Sequence, residues 1–560
     1  MGGTSRLSEK ILGSRWLPVG IFLAGCLVFG MNLGRRDFWN PDEGDFAEIA
    51  REMRERGDYL VPTLNGKPYS EKPPLFYWSV LLSEAVVGEP YEFSARLPSV
   101  LAGAGGLVIA FWFGRRFFSA KAGLLAAALL GTSFQYLWRS SYLQTDMLFT
   151  FFCGLSFWLL WKLLEQEEPR FLRDGLPFYL ALTLAILTKG PLAAVLVGLT
   201  ALGFLAWEGR LFFLRKLFLV RGFFLVAALA GWWYIVVGSE AGSGFLRGAI
   251  VREHLMRFFD SDSHNQPPYY YLFTIWSDLA PWSLFFPFVL WAAWKGRGDR
   301  KVRFLLVWFG ATFLFLSICS SKQGKYLLPV FPAAATLLAW NLLKDWDLSR
   351  YQKPIIYYLS AIFIAVGVAG ITLSLAGNPP EFLASALARQ DLSPELAVRL
   401  APVLHELAAA GLLSLCFRER GTHVMAGYLA GGIAILFLTL SFFYPELNGL
   451  KSVRPLMERT AARMESGARL AVYGSFRGGY AYYSGRLLTE IKVDPPDEDE
   501  SRRQLEEFLA LPGPAYCLVS KVDWSRLGPS FWGQFWVLDQ AAVGNRSLVL
   551  ISNRPVNKGK

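Results

Sequence analysis

Long apolar runs separated by short polar breaks occupy most of this chain. They cover residues 16–34, 98–113, 122–138, 147–164, 176–188, 191–207, 222–238, 271–292, 303–319, 326–341, 355–376, 402–417 and 423–444. A helix needs about 20 apolar residues to cross a hydrocarbon core, so the pattern predicts about thirteen membrane spans. An odd number puts the two ends on opposite sides. Beyond residue 445 the period changes. RLAVYG, AYCLVS, FWVLDQ and SLVLIS read as short strands, and SRRQLEEFLAL reads as an amphipathic helix. The expected organisation is a helical, polytopic membrane domain over 1–445 and a soluble α/β domain over 446–560. FRGGYAYYSGR in that second part reads as a tight turn beside a strand, with a sugar-binding lip as the alternative.

Composition agrees with the membrane reading: of 560 residues, 53% are hydrophobic and only 18% charged. Charge then sets the orientation, because Lys and Arg in short loops favour the cytoplasm. Arg115, Arg116 and Lys121 fall in one alternate loop, Arg210, Arg215, Lys216 and Arg221 in another, and Lys295, Arg297, Arg300, Lys301 and Arg303 in a third. The amino terminus is therefore expected inside, with the 35–97 loop, the 239–270 loop and the carboxy-terminal tail outside. On this reading the net charge of +11 reports topology and needs no nucleic-acid partner. LAGC at 23–26 resembles a lipoprotein processing site, but the apolar run continues past Cys26, which favours an uncleaved anchor. The five cysteines show neither a paired framework nor metal spacing.

The 35–97 loop carries unusual chemistry. Asn40 is a good N-cap, Pro41 suits the first helical position, and Asp42 and Glu43 then fall at the positive end of the helix dipole. Phe46, Ile49, Ala50 and Met53 form an apolar stripe opposite Asp45, Glu48, Arg51, Glu52 and Arg54, as in a helix lying flat in the membrane interface. Asn65-Gly66 favours a tight turn, and Pro73-Pro74 stiffens the segment bearing Glu71 and Lys72. Asp146, Lys189, Arg252, His254, Arg257, Lys322, Lys325 and Tyr326 sit at the outer ends of later spans. Any one of them fits an interfacial anchor; together, cations beside carboxylates suit a site that holds a lipid phosphate and activates a nucleophile.

The order of the DE pair, AEIAREM, GDYLVPTLNGKPYSEKPPLFYW, TD, LTKGP, the EH pair and KYLLPVFP resembles the aminoarabinose-transferase-like glycosyltransferases. These are polyprenyl-phosphate-dependent GT-C membrane enzymes related to protein O-mannosyltransferases. The resemblance implies inverting transfer of a sugar from undecaprenyl phosphate, with an aminoarabinose-type pentose as one candidate. The acceptor would be lipid A or another glycan, lipid or protein at the outer face of a bacterial inner membrane. It makes Asp42, with Glu43 beside it, and Asp146 the catalytic acids. It places Lys72, Lys189, Arg257 and Tyr326 at the carrier phosphate, and pairs Glu71 with His254 at a divalent metal ion. One departure is Asp45, where the family often has arginine, so an acceptor hydroxyl becomes an alternative to an anionic phosphate.

The residues fit that chemistry on their own terms. Cations offset the leaving phosphate's charge, and a carboxylate on the other side takes a proton from the acceptor. The chain has no Gly-rich phosphate loop ending in GK[ST], as expected for a lipid-linked donor. A flippase for lipid-linked sugars is the main alternative, and a non-enzymatic scaffold with a glycan-binding tail the other.

Overall fold

The computed structural model describes residues 12–39, 42–88, 91–240, 242, 264–344, 349–381, 384–385, 394–465, 467–493, 498–543 and 546–555. Among them, ten helices are long and apolar enough to cross a membrane. Every apolar run read from the sequence falls in helix, but three differ from a single full-length span. Ala120–Gly131 and Leu192–Trp207 are shorter helices of 12 and 16 residues. The 271–292 run is broken into Tyr270–Asp278 and Phe286–Lys295, separated by a tight turn at Trp282–Phe285. The breaks at 131–134 and 279–285 face each other. Phe134 N–H donates to Ala280 O at 3.0 Å, and Trp282 Nε1 donates to Thr132 Oγ1 at 3.1 Å, so polar groups freed by one break are satisfied at the other.

The basic loops meet at one end of the bundle. Arg300 pairs with Glu208 at 2.9 Å, Lys301 Nζ donates to Phe117 O at 2.8 Å, and Lys216 Nζ donates to Glu167 O at 2.7 Å. Asp146, Lys189 and Tyr326 lie at the other ends of the same helices, on Thr145–Leu164, Leu176–Lys189 and the Gly324–Leu343 span.

Over that second end lies the Asp42–Arg56 helix. Its apolar stripe is buried as expected, yet Glu43, Glu48, Arg51 and Glu52 are buried too. The helix therefore does not lie open on the membrane surface: its polar side is covered and internally neutralised. Arg51 makes a two-pronged pair with Glu48 at 2.6 and 2.7 Å. Glu52 accepts from the Gly66 N–H at 3.1 Å. Gly66 belongs to the predicted turn, in which Asn65 and Gly66 both have positive φ, 54° and 73°. That conformation joins the two antiparallel strands β1 (Thr63–Leu64) and β2 (Lys67–Pro68).

The carboxy-terminal region supplies the cover. Strands β3 (Arg469–Tyr473), β4 (Thr489–Ile491), β5 (Ala515–Ser520), β6 (Trp536–Val543) and β7 (Arg546–Ser552) form a mixed sheet in the order β4-β3-β5-β7-β6. Alternate residues feed two cores. Leu470, Val472 and Leu518 pack with Leu456 and Met457 on one face, while Ala471, Tyr473 and Val519 pack with Leu505 and Phe508 on the other. The four strands read from the sequence are present; β4, only three residues long, left no readable alternation.

FRGGYAYYSGR is a helix, Gly478–Ser484, rather than a simple turn. It packs so tightly on the 42–56 helix that a Cβ on Gly478 would lie 2.6 Å from Asp45 Cα. The Gly478 N–H donates to Asp45 Oδ1 at 2.6 Å. Tyr483, Asn65 and Arg454 extend this contact. Tyr483 OH accepts from Phe38 N at 2.7 Å, Asn65 exchanges hydrogen bonds with the Leu488 backbone at 2.9 and 2.8 Å, and Arg454 pairs with Glu92 at 3.0 Å.

Burial pushes the Asp45 carboxyl up to about 7, with Asp42 and Glu71 adding to the rise, against the opposing pull of Gly478 N–H and Arg477. An unfolded aspartate titrates near about 3.9, so the folded state holds the extra proton and loses stability as pH rises between about 4 and 7. Asp45→Asn keeps an acceptor for Gly478 and cannot ionise. Its thermal midpoint should match wild type at about pH 4 and exceed it at about pH 8; a lower midpoint at the higher pH contradicts this reading of Asp45.

Candidate active site

A cavity of about 500 Å³ opens where the 42–56 helix meets the bundle. It brings together seven of the residues singled out from sequence: Asp42, Glu71, Lys72, Asp146, Lys189, Lys325 and Tyr326. Five separate stretches deliver them, Lys325 and Tyr326 coming from the start of the Gly324–Leu343 span. Asp42 starts the outer helix, Glu71 and Lys72 precede Pro73-Pro74, Asp146 opens the 145–164 helix, and Lys189 ends the 176–189 helix. Leu192, Val195, Phe315 and Leu316 make one wall apolar.

Charges inside the cavity are interleaved. Lys325 Nζ pairs with Asp42 Oδ2 at 3.0 Å, and Gln144 Nε2 donates to the same oxygen. Lys189 pairs with Asp146 and lies 4.4 Å from the centre of the Tyr326 ring, an arrangement that favours the cation on the ring face. Lys72 Nζ donates to Glu71 O at 2.9 Å, with the Glu71 carboxylate 3.9 Å away.

Glu43 is not at the cavity, which corrects its expected place among the catalytic acids. Its side chain is fully buried and accepts from Arg36 at 3.1 Å, Arg96 at 2.7 and 2.8 Å, Trp39 N at 3.1 Å and Leu143 N at 3.0 Å. Burial alone would raise this carboxyl, but the two guanidiniums overcome it and hold Glu43 below the usual carboxylate range. With its lone pairs occupied, Glu43 serves as a fastener. Asp45 also stays out of the cavity lining and engages the tail, so its charge is directed at Gly478 rather than at an acceptor.

Arg257 and His254 lie outside the described residues, as do Asn40, Pro41 and Arg252. Among the described residues no three His, Cys, Asp or Glu side chains stand together as a metal set. Glu71, the described member of the expected metal pair, lines the cavity. Sequence reasoning missed Gln144, His264 and Tyr69. Gln144 stands two residues before Asp146, a signal that was on view; His264 and Tyr69 line the cavity without any distinguishing pattern around them.

Residues 71–235 match the family described as dolichyl-phosphate-mannose-protein mannosyltransferase. An uncharacterized protein of Aquifex aeolicus is 31% identical over 363 residues, covering 62% of this chain and 67% of its own. Undecaprenyl phosphate-alpha-4-amino-4-deoxy-L-arabinose arabinosyl transferase of Pseudomonas aeruginosa is 32% identical over 330 residues, covering 58% of this chain and 59% of its own. The chain belongs to the aminoarabinose-transferase-like family. The alignment spans 59% of the length of such curated relatives, including one from Pseudomonas fluorescens at 28% identity. The fold extends further: the crystal structure of ArnT from Cupriavidus metallidurans bound to undecaprenyl phosphate superposes with a TM-score of 0.80 at 20% identity. That superposition covers 98% of this chain and all of that one. The aminoarabinose-transferase-like fold, a GT-C membrane architecture, thus includes both the helical bundle and the carboxy-terminal sheet.

If Glu43 fastens the first turn of its helix, Glu43→Gln should cost about 3 to 5 kcal/mol, because two buried arginines lose their countercharge. Thermal unfolding of the detergent-solubilised protein measures this. An unchanged midpoint would return Glu43 to the list of groups acting in the chemistry.

Proposed function

We propose that this protein is an inverting glycosyltransferase that moves a sugar from an undecaprenyl-phosphate-linked donor to an acceptor at the outer face of a bacterial inner membrane. The observation that carries this reading is the cavity itself. It sets Asp42 and Asp146 among Lys72, Lys189, Lys325 and Tyr326, beside an apolar wall suited to a polyprenyl chain. The names of the Pseudomonas relatives support the donor class and make an aminoarabinose-type pentose the first sugar to test. Lipid A is the first acceptor to test, followed by other envelope glycans, lipids and proteins. The gathering of the basic loops at the far end of the bundle supports an inside amino terminus and an outward-facing cavity and tail.

In the proposed reaction, Asp42 accepts the proton of an acceptor hydroxyl as its oxygen forms the new bond to the anomeric carbon. On the opposite side the bond from that carbon to the phosphate oxygen breaks, and its electron pair leaves with undecaprenyl phosphate. Lys72, with Tyr326, meets the charge gathering on that phosphate, while Lys189 holds Asp146 and packs against Tyr326. Excluding bulk water from a cavity partly walled by apolar side chains strengthens each of these interactions.

The test is transfer from a panel of labelled undecaprenyl-phosphate sugars to lipid A and to an envelope extract, by protein reconstituted in lipid. Wild type should label an acceptor, and Asp42→Asn should lower kcat by about 10²- to 10⁴-fold while still binding donor lipid. No transfer by either protein, with carrier lipid crossing the bilayer in both, would replace this reading with a flippase.

A further inference from the structure

Asp42 is held unevenly. Its Oδ2 accepts from Gln144 Nε2 and from Lys325 Nζ, whereas its Oδ1 has no hydrogen-bond partner among the described residues. Gln144 is 1% exposed and is not part of the cavity lining. Its other end is fixed by Arg139, whose Nη1 donates to Gln144 Oε1 at 2.7 Å. A guanidinium can only donate, so the amide oxygen must face Arg139 and the NH₂ must face Asp42. Arg139, itself half-buried, is steadied in turn by the Tyr142 ring at 5.4 Å. The chain from Arg139 through Gln144 to Asp42 has one chemically allowed direction.

We propose that Gln144 is a positioning residue for the transfer reaction: together with Lys325 it ties down Asp42 Oδ2, leaving Oδ1 as the oxygen that takes the acceptor's proton. The inference rests on the glycosyltransferase reading above and adds to it a residue that never touches substrate. A carboxylate free to rotate about Cβ–Cγ would present either oxygen over a spread of directions. Two donors on one oxygen restrict that rotation and hold the second oxygen toward the cavity, the kind of orientation on which a bound-state reaction depends. Lys325 acts from within the cavity and Gln144 from behind it, so they differ in what their loss should do. Lys325 also contributes charge next to the substrate, while Gln144 contributes orientation alone.

Steady-state transfer from the labelled undecaprenyl-phosphate sugar found active with wild type, at saturating envelope extract, tests this with two variants. Gln144→Leu should lower kcat by about 10²-fold with the donor KM unchanged, since the lost contact acts on alignment and not on donor binding. Gln144→Glu is the more discriminating variant. Arg139 still holds one oxygen, but the other now faces Asp42 and can donate only when protonated. Its kcat should therefore recover as pH falls from about 8 toward about 5, while wild type shows no such gain.

A wild-type kcat in both variants, or a loss in Gln144→Glu that does not change with pH, overturns the proposal while leaving the glycosyltransferase reading intact. Absence of transfer by wild type itself, with Asp42→Asn indistinguishable from it, overturns that reading and the positioning role with it. Should Gln144→Leu fail to fold, the pH response of Gln144→Glu decides between the outcomes alone.

Discussion

One buried carboxylate shared by two buried arginines governs the geometry of this protein's cavity. Glu43 takes five hydrogen bonds from the segment before it, from Arg96 on the next long helix and from the Leu143 backbone. Three parts of the chain that are far apart in sequence meet on that one side chain. Successive residues of a helix point about 100° apart, so turning Glu43 inward turns Asp42 away from it. Asp42 then faces the cavity, where Lys325 and Gln144 receive it. Removing the countercharge from such a centre exposes the full cost of burying the arginines, which is why the arrangement admits so little freedom.

The carboxy-terminal region completes this constraint from the other side. Gly478, Tyr483, Leu488 and Arg454 all contact the outer loop, and three of these contacts use a backbone N–H on one side. A helix with a charged face would otherwise have remained at a wet interface. Here its charges are spent on partners: Arg51 on Glu48, Glu52 on the Asn65-Gly66 turn, Asp45 on Gly478. The cavity beneath is framed on one side by membrane helices and on the other by an outer helix held in place by the tail.

Much of this was legible in the residues. Apolar runs declare helices because a span must satisfy its own backbone, and the strands of the tail show themselves through alternation that feeds two faces. The acids and lysines of the cavity stood out because ionisable groups at the ends of apolar spans are unusual. Other features were hidden for physical reasons. Nothing in the DE pair says which carboxylate turns inward, since that depends on Arg36 and Arg96 arriving from elsewhere. The periodicity of the 42–56 helix announced an exposed polar face because the covering helix lies more than 400 positions away in sequence. Gln144 showed only its nearness to Asp146, which says nothing of Asp42. Its importance comes entirely from having Arg139 on one end and Asp42 on the other.

The most direct measurement is a cryo-electron microscopy structure of the protein with undecaprenyl phosphate bound. The account predicts the phosphate within hydrogen-bonding distance of Lys72 and Tyr326, with Asp42 across the cavity and the polyprenyl chain running along Leu192, Val195, Phe315 and Leu316. A headgroup seated instead among the basic residues at the opposite end of the bundle, near Lys216 and Arg300, would contradict it.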